Sequence, residues 1–212
     1  MPSIARYPMN RFRFTLLAVC LVLVYLGYAD VSLFLRNRAP LPITMEQLAS
    51  DGAPREWLHI QGAVEDLEHA ISTSGSIELS ALLVPLKSSA DQEGFSVLLE
   101  TRNPELLEPF KTYHFLLDSA LEKERYLEEH KERFQHRRDV TGMLVTGLIA
   151  TGNRDKLMTL ARELGMQVSD EVIFVSEGKE PARWRGFFFL AMALGGLFKF
   201  ARMGKKPVMR DA

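Results

Sequence analysis

The sequence predicts an α+β membrane protein in which two transmembrane helices flank an extracytoplasmic domain. Three observations predict this fold class. An uncharged apolar run lies near each end of the 212-residue chain, and basic residues flank both runs while the middle is acidic. Short β-type segments and one long charged helical pattern lie between the runs. They predict a small antiparallel β sheet or partly open barrel with a long charged helix inserted.

The composition describes one globular domain with attachments. Charged residues make up 25% of the chain and apolar residues 47%, which excludes a disordered or fibrous protein. The formal net charge of -1 excludes a nucleic-acid binder that depends on overall basicity. Because Cys20 is the only cysteine in the sequence, neither an intrachain disulfide nor a cysteine-cluster metal site can form.

The N-terminal apolar run predicts the first transmembrane helix. Residues 14–29 carry no charge. Counted from Phe12, with Arg13 snorkelling, the run gives about 18 residues and roughly 27 Å of helix. That length nearly matches a hydrocarbon core of about 30 Å. Tyr25 and Tyr28 fall near the far end, where amphipathic rings favour the membrane interface.

Two processing alternatives apply to this end of the chain. The segment Gly27-Tyr28-Ala29 resembles a signal-peptide cleavage site. The residues up to Cys20 resemble a lipoprotein box, although a valine precedes the cysteine and the apolar run continues past it. We favour an uncleaved helix because both the basic leader and the apolar run are long.

The C-terminal apolar run predicts the second transmembrane helix, over residues 184–203. Its uncharged part, residues 186–198, spans only about 20 Å, so flanking cations must snorkel to complete the span. A buried or interfacial helix is the alternative. Ala191 and Gly195 form a small-xxx-small pair, which predicts a packing face for the first span or for a partner protein.

The charges around the two runs predict the orientation. Three arginines and no acid lie in residues 1–13, and five cations against one aspartate follow Phe198, which leaves 18 bases and 26 acids between. By the positive-inside rule both termini are cytoplasmic, and we expect a multi-pass protein of a bacterial inner membrane. The predicted organisation is a cytoplasmic leader (1–13), the first span and its exit (14–35), an extracytoplasmic α+β domain (36–183), the second span (184–203) and a cytoplasmic basic tail (204–212).

The middle domain has five strand-like segments and two short helical ones. Alternation and β-branched content predict strands over residues 57–62, 77–86, 95–101, 140–150 and 171–175. Thr44 and Gln47 have capping-box spacing, which predicts a helix over residues 45–50. A second short helix is predicted over residues 154–164.

The longest helical pattern begins at Asn103, which is followed by proline. Apolar residues then alternate at spacings of four and three, with a kink expected at Pro109. Residues 122–138 are dense in charge, and Glu129 and Arg133 are spaced so that they can pair on one helix face. We expect this exposed charged helix to bind a partner.

The sequence predicts no catalytic, cofactor or metal site. The best ligand pair, Glu132 and His136, lacks a third ligand, and no Gly-x-Ser-x-Gly elbow is present. Two Val-Thr-Gly triplets, at residues 140–142 and 145–147, do not match nucleotide-binding glycine patterns and indicate strand packing. The adjacent carboxylates Glu65 and Asp66 predict solvated surface.

Together these features predict a non-enzymatic membrane protein whose extracytoplasmic domain binds or helps assemble a membrane or extracytoplasmic protein partner. The other predicted contact is the lipid bilayer; neither a cofactor nor nucleic acid is expected. Two alternatives are a small-ligand or lipid sensor and a membrane-tethered hydrolase with dispersed site residues. The order of segments resembles that of SURF-type cytochrome-oxidase assembly factors and of mitochondrial membrane ubiquitin ligases, whose RING cysteines this chain lacks. The resemblance concerns layout only and implies no functional residue.

Overall fold

The computed structural model describes residues 8–72, 81–92, 94–145 and 168–203. The chain divides into two compact units, one comprising residues 1–38 with 181–212 and the other residues 39–180. The first unit contains a helix pair and the second a β sheet with several helices. The predicted helix over residues 154–164 lies outside the described residues, as do the ends of two predicted strands.

The described helices are α1 (Pro8–Arg36), α2 (Met45–Asp51), α3 (Pro104–Lys111), α4 (Ala120–Glu129), α5 (Lys131–Phe134) and α6 (Arg185–Met203), with a π-helical turn at Thr112–Leu116. The described strands are β1 (Leu41–Thr44), β2 (Trp57–Glu65), β3 (Ile71–Ser72), β4 (Leu82–Lys87), β5 (Phe95–Thr101), β6 (Arg137–Leu144) and β7 (Val168–Glu177).

The strands form one sheet that closes into a small barrel. The strand order is β1-β2-β6-β7-β5-β4-β3. An additional antiparallel pairing of β2 with β4, through Val64–Lys87 and Glu65–Leu86, closes the ring. Of the two predicted forms, an antiparallel sheet or a partly open barrel, the structure supports a barrel. The sheet is not purely antiparallel, because β1 runs parallel to β2 and β5 runs parallel to β7.

Alternation along the strands places aliphatic side chains in the barrel core. Leu58 and Ile60 of β2 are fully buried, and a register shift before Ala63 keeps that residue on the same inner face. Gly62 lies inside this irregularity at a φ of 64°, a conformation that favours glycine. The other strands contribute to the same core the buried residues Leu82, Val84, Leu86, Val97, Leu99, Val140 and Val175.

The helix predicted from Thr44 and Gln47 is present as α2. The Thr44 hydroxyl accepts a hydrogen bond from the Gln47 backbone N–H, and the Gln47 side chain accepts one from the Thr44 N–H. The predicted cap at Asn103 is also present, since its side chain accepts a hydrogen bond from the Glu105 N–H at 3.0 Å. Both helices therefore begin where local hydrogen bonding predicts.

The prediction of one continuous charged helix is wrong, because the structure has several shorter helices in this segment. α3 includes Pro109 and leads into the π-helical turn, after which the chain becomes extended at Leu117. Ser119 then caps α4, because its hydroxyl accepts from the Glu122 N–H and the Glu122 carboxylate accepts from the Ser119 N–H. This capping box begins a new helix and interrupts the apolar periodicity. His130 separates α4 from α5.

The helix pair consists of α1 and α6. Residues Arg13–Arg36 of α1 have a mean hydropathy of 2.1 and are long enough to cross a membrane; a signal sequence or the core helix of a soluble protein has similar properties. Among the described residues α1 is the only helix that meets this standard, so a second span is not shown.

Glycines allow α1 and α6 to approach closely. A Cβ added to Gly27 would lie 2.8 Å from the Leu190 side chain, and one added to Gly186 would lie 2.7 Å from the Asp30 Cβ. A Cβ on Gly196 would collide with the Cys20 sulfur. The contact between the two helices therefore depends on the missing side chains at these glycines.

Candidate functional site

Four polar side chains lie inside the barrel, on four different strands. Glu65, Thr101, Arg138 and Glu177 each stand two residues from a core residue of the same strand. Because side chains repeat every two residues along a strand, all four share the inner face. We call this group the barrel polar cluster.

Arg138 links the two carboxylates of this cluster. Its Nε donates to Glu65 Oε1 at 2.8 Å, and its Nη1 donates to Glu177 Oε1 at 2.5 Å. The Thr101 hydroxyl donates to the other oxygen of Glu177 at 2.5 Å. In contrast, Glu65 Oε2 is buried and accepts no hydrogen bond from the described residues. The network is therefore complete at Glu177 and incomplete at Glu65.

This difference in hydrogen bonding shifts the pKa values of the two carboxylates in opposite directions. Burial raises the pKa of Glu65, and the hydrogen bond and charge of Arg138 offset only part of that rise. Burial also opposes ionisation of Glu177, but hydrogen bonds from Arg138 and Thr101 outweigh it and lower the pKa. Burial opposes the charge on Arg138 as well, but the hydrogen bonds and charges of the two carboxylates outweigh burial and raise the pKa of Arg138. Glu65 is therefore the member that takes up a proton as the pH falls.

Glu65 and Thr101 of the barrel polar cluster are buried, while the side chains of Arg138 and Glu177 are each 21% exposed. Glu65 is 0% exposed and Thr101 is 1% exposed, so an external molecule does not reach these groups. Removing the partner of one member would leave a buried charge unpaired, which costs several kcal/mol.

A second charged group lies beside the barrel. Asp66 is 6% exposed, and its carboxylate accepts a hydrogen bond from His69 Nδ1 at 2.9 Å and lies 2.6 Å from Lys87 Nζ. Burial opposes its ionisation, but these two partners outweigh burial and lower the pKa of Asp66. The hydrogen bond to Asp66 raises the pKa of His69 in turn. The predicted solvated surface at Glu65 and Asp66 is therefore wrong, since both carboxylates are buried and paired.

The two charged residues predicted to bind a partner lie on the helices outside the barrel. Glu129 ends α4 and Arg133 lies in α5, and both side chains are exposed. In the ranges that the structure describes, no ion pair joins them, because the chain leaves helical geometry at His130 between the two helices. Arg138, which the predicted helix included, lies in β6 instead.

The small-residue pair predicted on the C-terminal helix does not contact α1. Ala191 and Gly195 are exposed, and a Cβ added to Gly195 would meet nothing within 4 Å among the described residues. The neighbouring Gly196 faces α1 instead. Of the two uses predicted for the pair, packing against the first helix is therefore not observed, and partner binding stays a prediction.

An ion pair joins α1 to α6. Arg185 Nε donates to Asp30 Oδ2 at 2.7 Å, and Arg185 Nη2 donates to Asp30 Oδ1 at 2.9 Å. This bidentate arrangement fixes the register of the two helices with geometric specificity.

Metal ligands do not gather in the part of the chain that the structure describes. Within those ranges, no group of three or more histidine, cysteine, aspartate or glutamate side chains has a metal-binding arrangement. Comparison with known proteins adds no assignment, since no family model, curated protein or solved structure matches the chain.

Proposed function

We propose that this is a non-enzymatic membrane protein with two spans, α1 and α6, that hold an extracytoplasmic binding domain beside the bilayer. The domain, predicted over residues 36–183, recruits or helps assemble a protein partner there. Tethering raises its effective concentration for neighbours in or near the same membrane. The observation that carries the proposal is the large number of exposed apolar side chains on the outer surface of the helix pair.

That surface is apolar on the outside. The contact between α1 and α6 contains small residues, one ion pair and the edge-to-face rings of Phe34 and Phe187. Many other large apolar side chains face away from it. Nine of these side chains are more than half exposed: Phe14, Leu21, Val22, Tyr25, Tyr28, Phe188, Met192, Leu194 and Phe198. Apolar patches of this extent need a cover other than water. Lipid chains are a suitable cover, because helix association in lipid uses small residues and polar pairs rather than a hydrophobic core.

Charge supports the second span despite its short apolar run. Arg185 begins α6 and pairs with Asp30, so its charge is not left unpaired at the membrane interface. Lys199 and Arg202 lie near the opposite end of α6, where long side chains can snorkel toward headgroups. The basic tail that follows suits the cytoplasmic side.

The helices outside the barrel supply the binding surface in this proposal. α4 has no buried residue, and two of its side chains, the partly buried Tyr126 and Leu127, pack against the core of the barrel domain. A helix that contributes so little to the core is available to a partner. Glu129 and Arg133 are placed at the exposed junction of α4 with α5.

Site-specific photo-crosslinking in native membranes tests the proposed function. A photoreactive residue is placed at Glu129 or Arg133, and a matched control is placed at the exposed Glu46 of α2. We expect one or a few discrete membrane or extracytoplasmic proteins to be captured from the first two positions and not from the control. Identical capture from all three positions, or none from any, would contradict a binding role for this surface.

A further inference from the structure

A groove lies between α3 and α5 on the outside of the barrel domain. Its floor is apolar and is formed by Leu106 and Pro109 of α3. Glu105 and Glu108 line one side, and Glu132 with Arg133 lines the other. The groove has a volume of about 590 Å³, which is within the range of clefts that hold ligands or side chains of a partner.

The carboxylates of this groove differ from those of the barrel. Glu65, Asp66 and Glu177 are each held by a cation. In contrast, Glu105, Glu108 and Glu132 are exposed, and no described side chain pairs with their carboxylates. The lining also includes His136. With histidine counted as neutral, three carboxylates beside one guanidinium leave a local excess of two negative charges.

The charge of the groove decides what kind of molecule it suits. An acidic rim repels nucleic acid and anionic lipid headgroups. It attracts lysine and arginine, and the apolar floor accepts the aliphatic stems of those side chains. The acidic excess of the chain between its two apolar runs, 26 acids against 18 bases, adds long-range attraction of the same sign.

We propose that the groove between α3 and α5 binds a basic peptide segment of the partner protein. This inference rests on the proposed function and adds the chemistry of the partner. The segment carries lysine or arginine side chains that pair with Glu105, Glu108 and Glu132, while an apolar side chain lies on Leu106 and Pro109. Glu129 and Arg133 then lie at or beside the edge of the interface.

A peptide-binding measurement on the full-length protein in neutral detergent tests the groove. The probe is a fluorescent ten-residue peptide of alternating lysine and alanine, compared with its glutamate–alanine counterpart by anisotropy. We expect the lysine peptide to bind and the glutamate peptide not to bind. Charge reversal by Glu108→Lys with Glu132→Lys should weaken binding by about tenfold, because attraction becomes repulsion at two rim positions.

The matched control is Asp91→Lys with Glu124→Lys, which makes the same charge change at exposed positions away from the groove. This control should lose far less affinity than the groove variant. Equal losses in both variants would show general electrostatic attraction only and would overturn the groove. Absence of binding by the lysine peptide, or equal binding of both peptides, would overturn it as well.

Crosslinking separates this inference from the proposed function. If Glu129 and Arg133 capture a partner and the Glu108→Lys, Glu132→Lys variant captures the same partner equally well, the groove is refuted while the binding role stands. If the peptide binds in the groove but no partner is captured in membranes, the binding role is refuted while the groove stands.

Discussion

The helix pair and the barrel bury opposite kinds of residue. In the barrel, aliphatic side chains such as Leu58 and Val140 are fully buried and the free charges are exposed. In the helix pair, glycines form the contact while Phe188 and Leu194 are 61% and 68% exposed. A core formed in water gathers apolar surface inside, whereas a contact formed in lipid gains nothing from doing so. The contrast is the one expected if α1 and α6 span a membrane, as proposed, while the barrel folds in water.

The largest effect on stability is expected from a substitution that destabilises the barrel and leaves the helix pair intact. Arg138→Met removes the cation shared by Glu65 and Glu177, and we expect a loss of about 3–5 kcal/mol in the free energy of unfolding because buried carboxylates lose their partner. The measurement is chemical denaturation of the full-length protein at pH 8. Arg137→Met is the matched control, since Arg137 is exposed and donates one hydrogen bond to the Ser88 carbonyl. Similar losses in both variants would contradict the role of the barrel polar cluster.

A smaller effect is expected when the ion pair of the helix pair is broken. Asp30→Arg places two cations at one end of the α1–α6 contact, and we expect a loss of about 1.5–3 kcal/mol in helix association. Combining it with Arg185→Asp should restore most of the loss, because the pair is re-formed with its charges exchanged. Energy transfer between dyes on the two helices, followed during SDS titration, reports their separation. A double variant no better than the single ones would argue against this pairing.

Two adjacent glycines of α6 test which face of this helix contacts α1. Gly196→Ala introduces a Cβ against the Cys20 sulfur and should weaken helix association by on the order of 1 kcal/mol. Gly195→Ala faces open space and should be neutral or slightly stabilising, because alanine favours a helix over glycine. The same energy-transfer titration measures both variants. If Gly195→Ala weakened helix association more than Gly196→Ala, α1 would contact the Gly195 face of α6 and the described contact would be wrong.

The smallest effect concerns the pH dependence of the barrel domain. Asp66 raises the pKa of His69 above its usual value of 6.5, so the charged imidazole stabilises the fold. This contribution is complete below the unfolded-state pKa and disappears as the pH rises through the folded-state pKa. His69→Asn should therefore cost less than about 1 kcal/mol near pH 5.5, since His69 is half exposed, and almost nothing at pH 9. Denaturation midpoints across this pH range measure the difference, and a cost that grew with pH would contradict the assignment.

Features set by neighbouring residues could be predicted from the sequence. The capping box at Thr44 and Gln47 needs only four consecutive residues, and the apolar run of α1 is continuous. The capping box at Ser119 and Glu122 is equally local, but the apolar periodicity across it pointed to one continuous helix.

Features set by strand pairing could not be predicted in the same way. Glu65 and Arg138 are 73 positions apart and meet only because β2 pairs with β6 across the barrel. Each of them stands at a strand end, where a charged residue ordinarily indicates solvent. β1 is four residues long and contains Pro42, so alternation gives almost no signal for it. The candidate groove likewise depends on how α3 packs against α5, which no local pattern specifies.

Cysteine labelling in intact cells tests whether the middle domain is tethered outside the cytoplasm between two spans. In a Cys20→Ala background, Glu124→Cys marks the middle domain and Lys206→Cys marks the C-terminal tail. With a membrane-impermeant thiol reagent, we expect labelling of position 124 in intact cells and of position 206 only after the cells are lysed. Labelling of position 206 in intact cells, or protection of position 124 there, would contradict it.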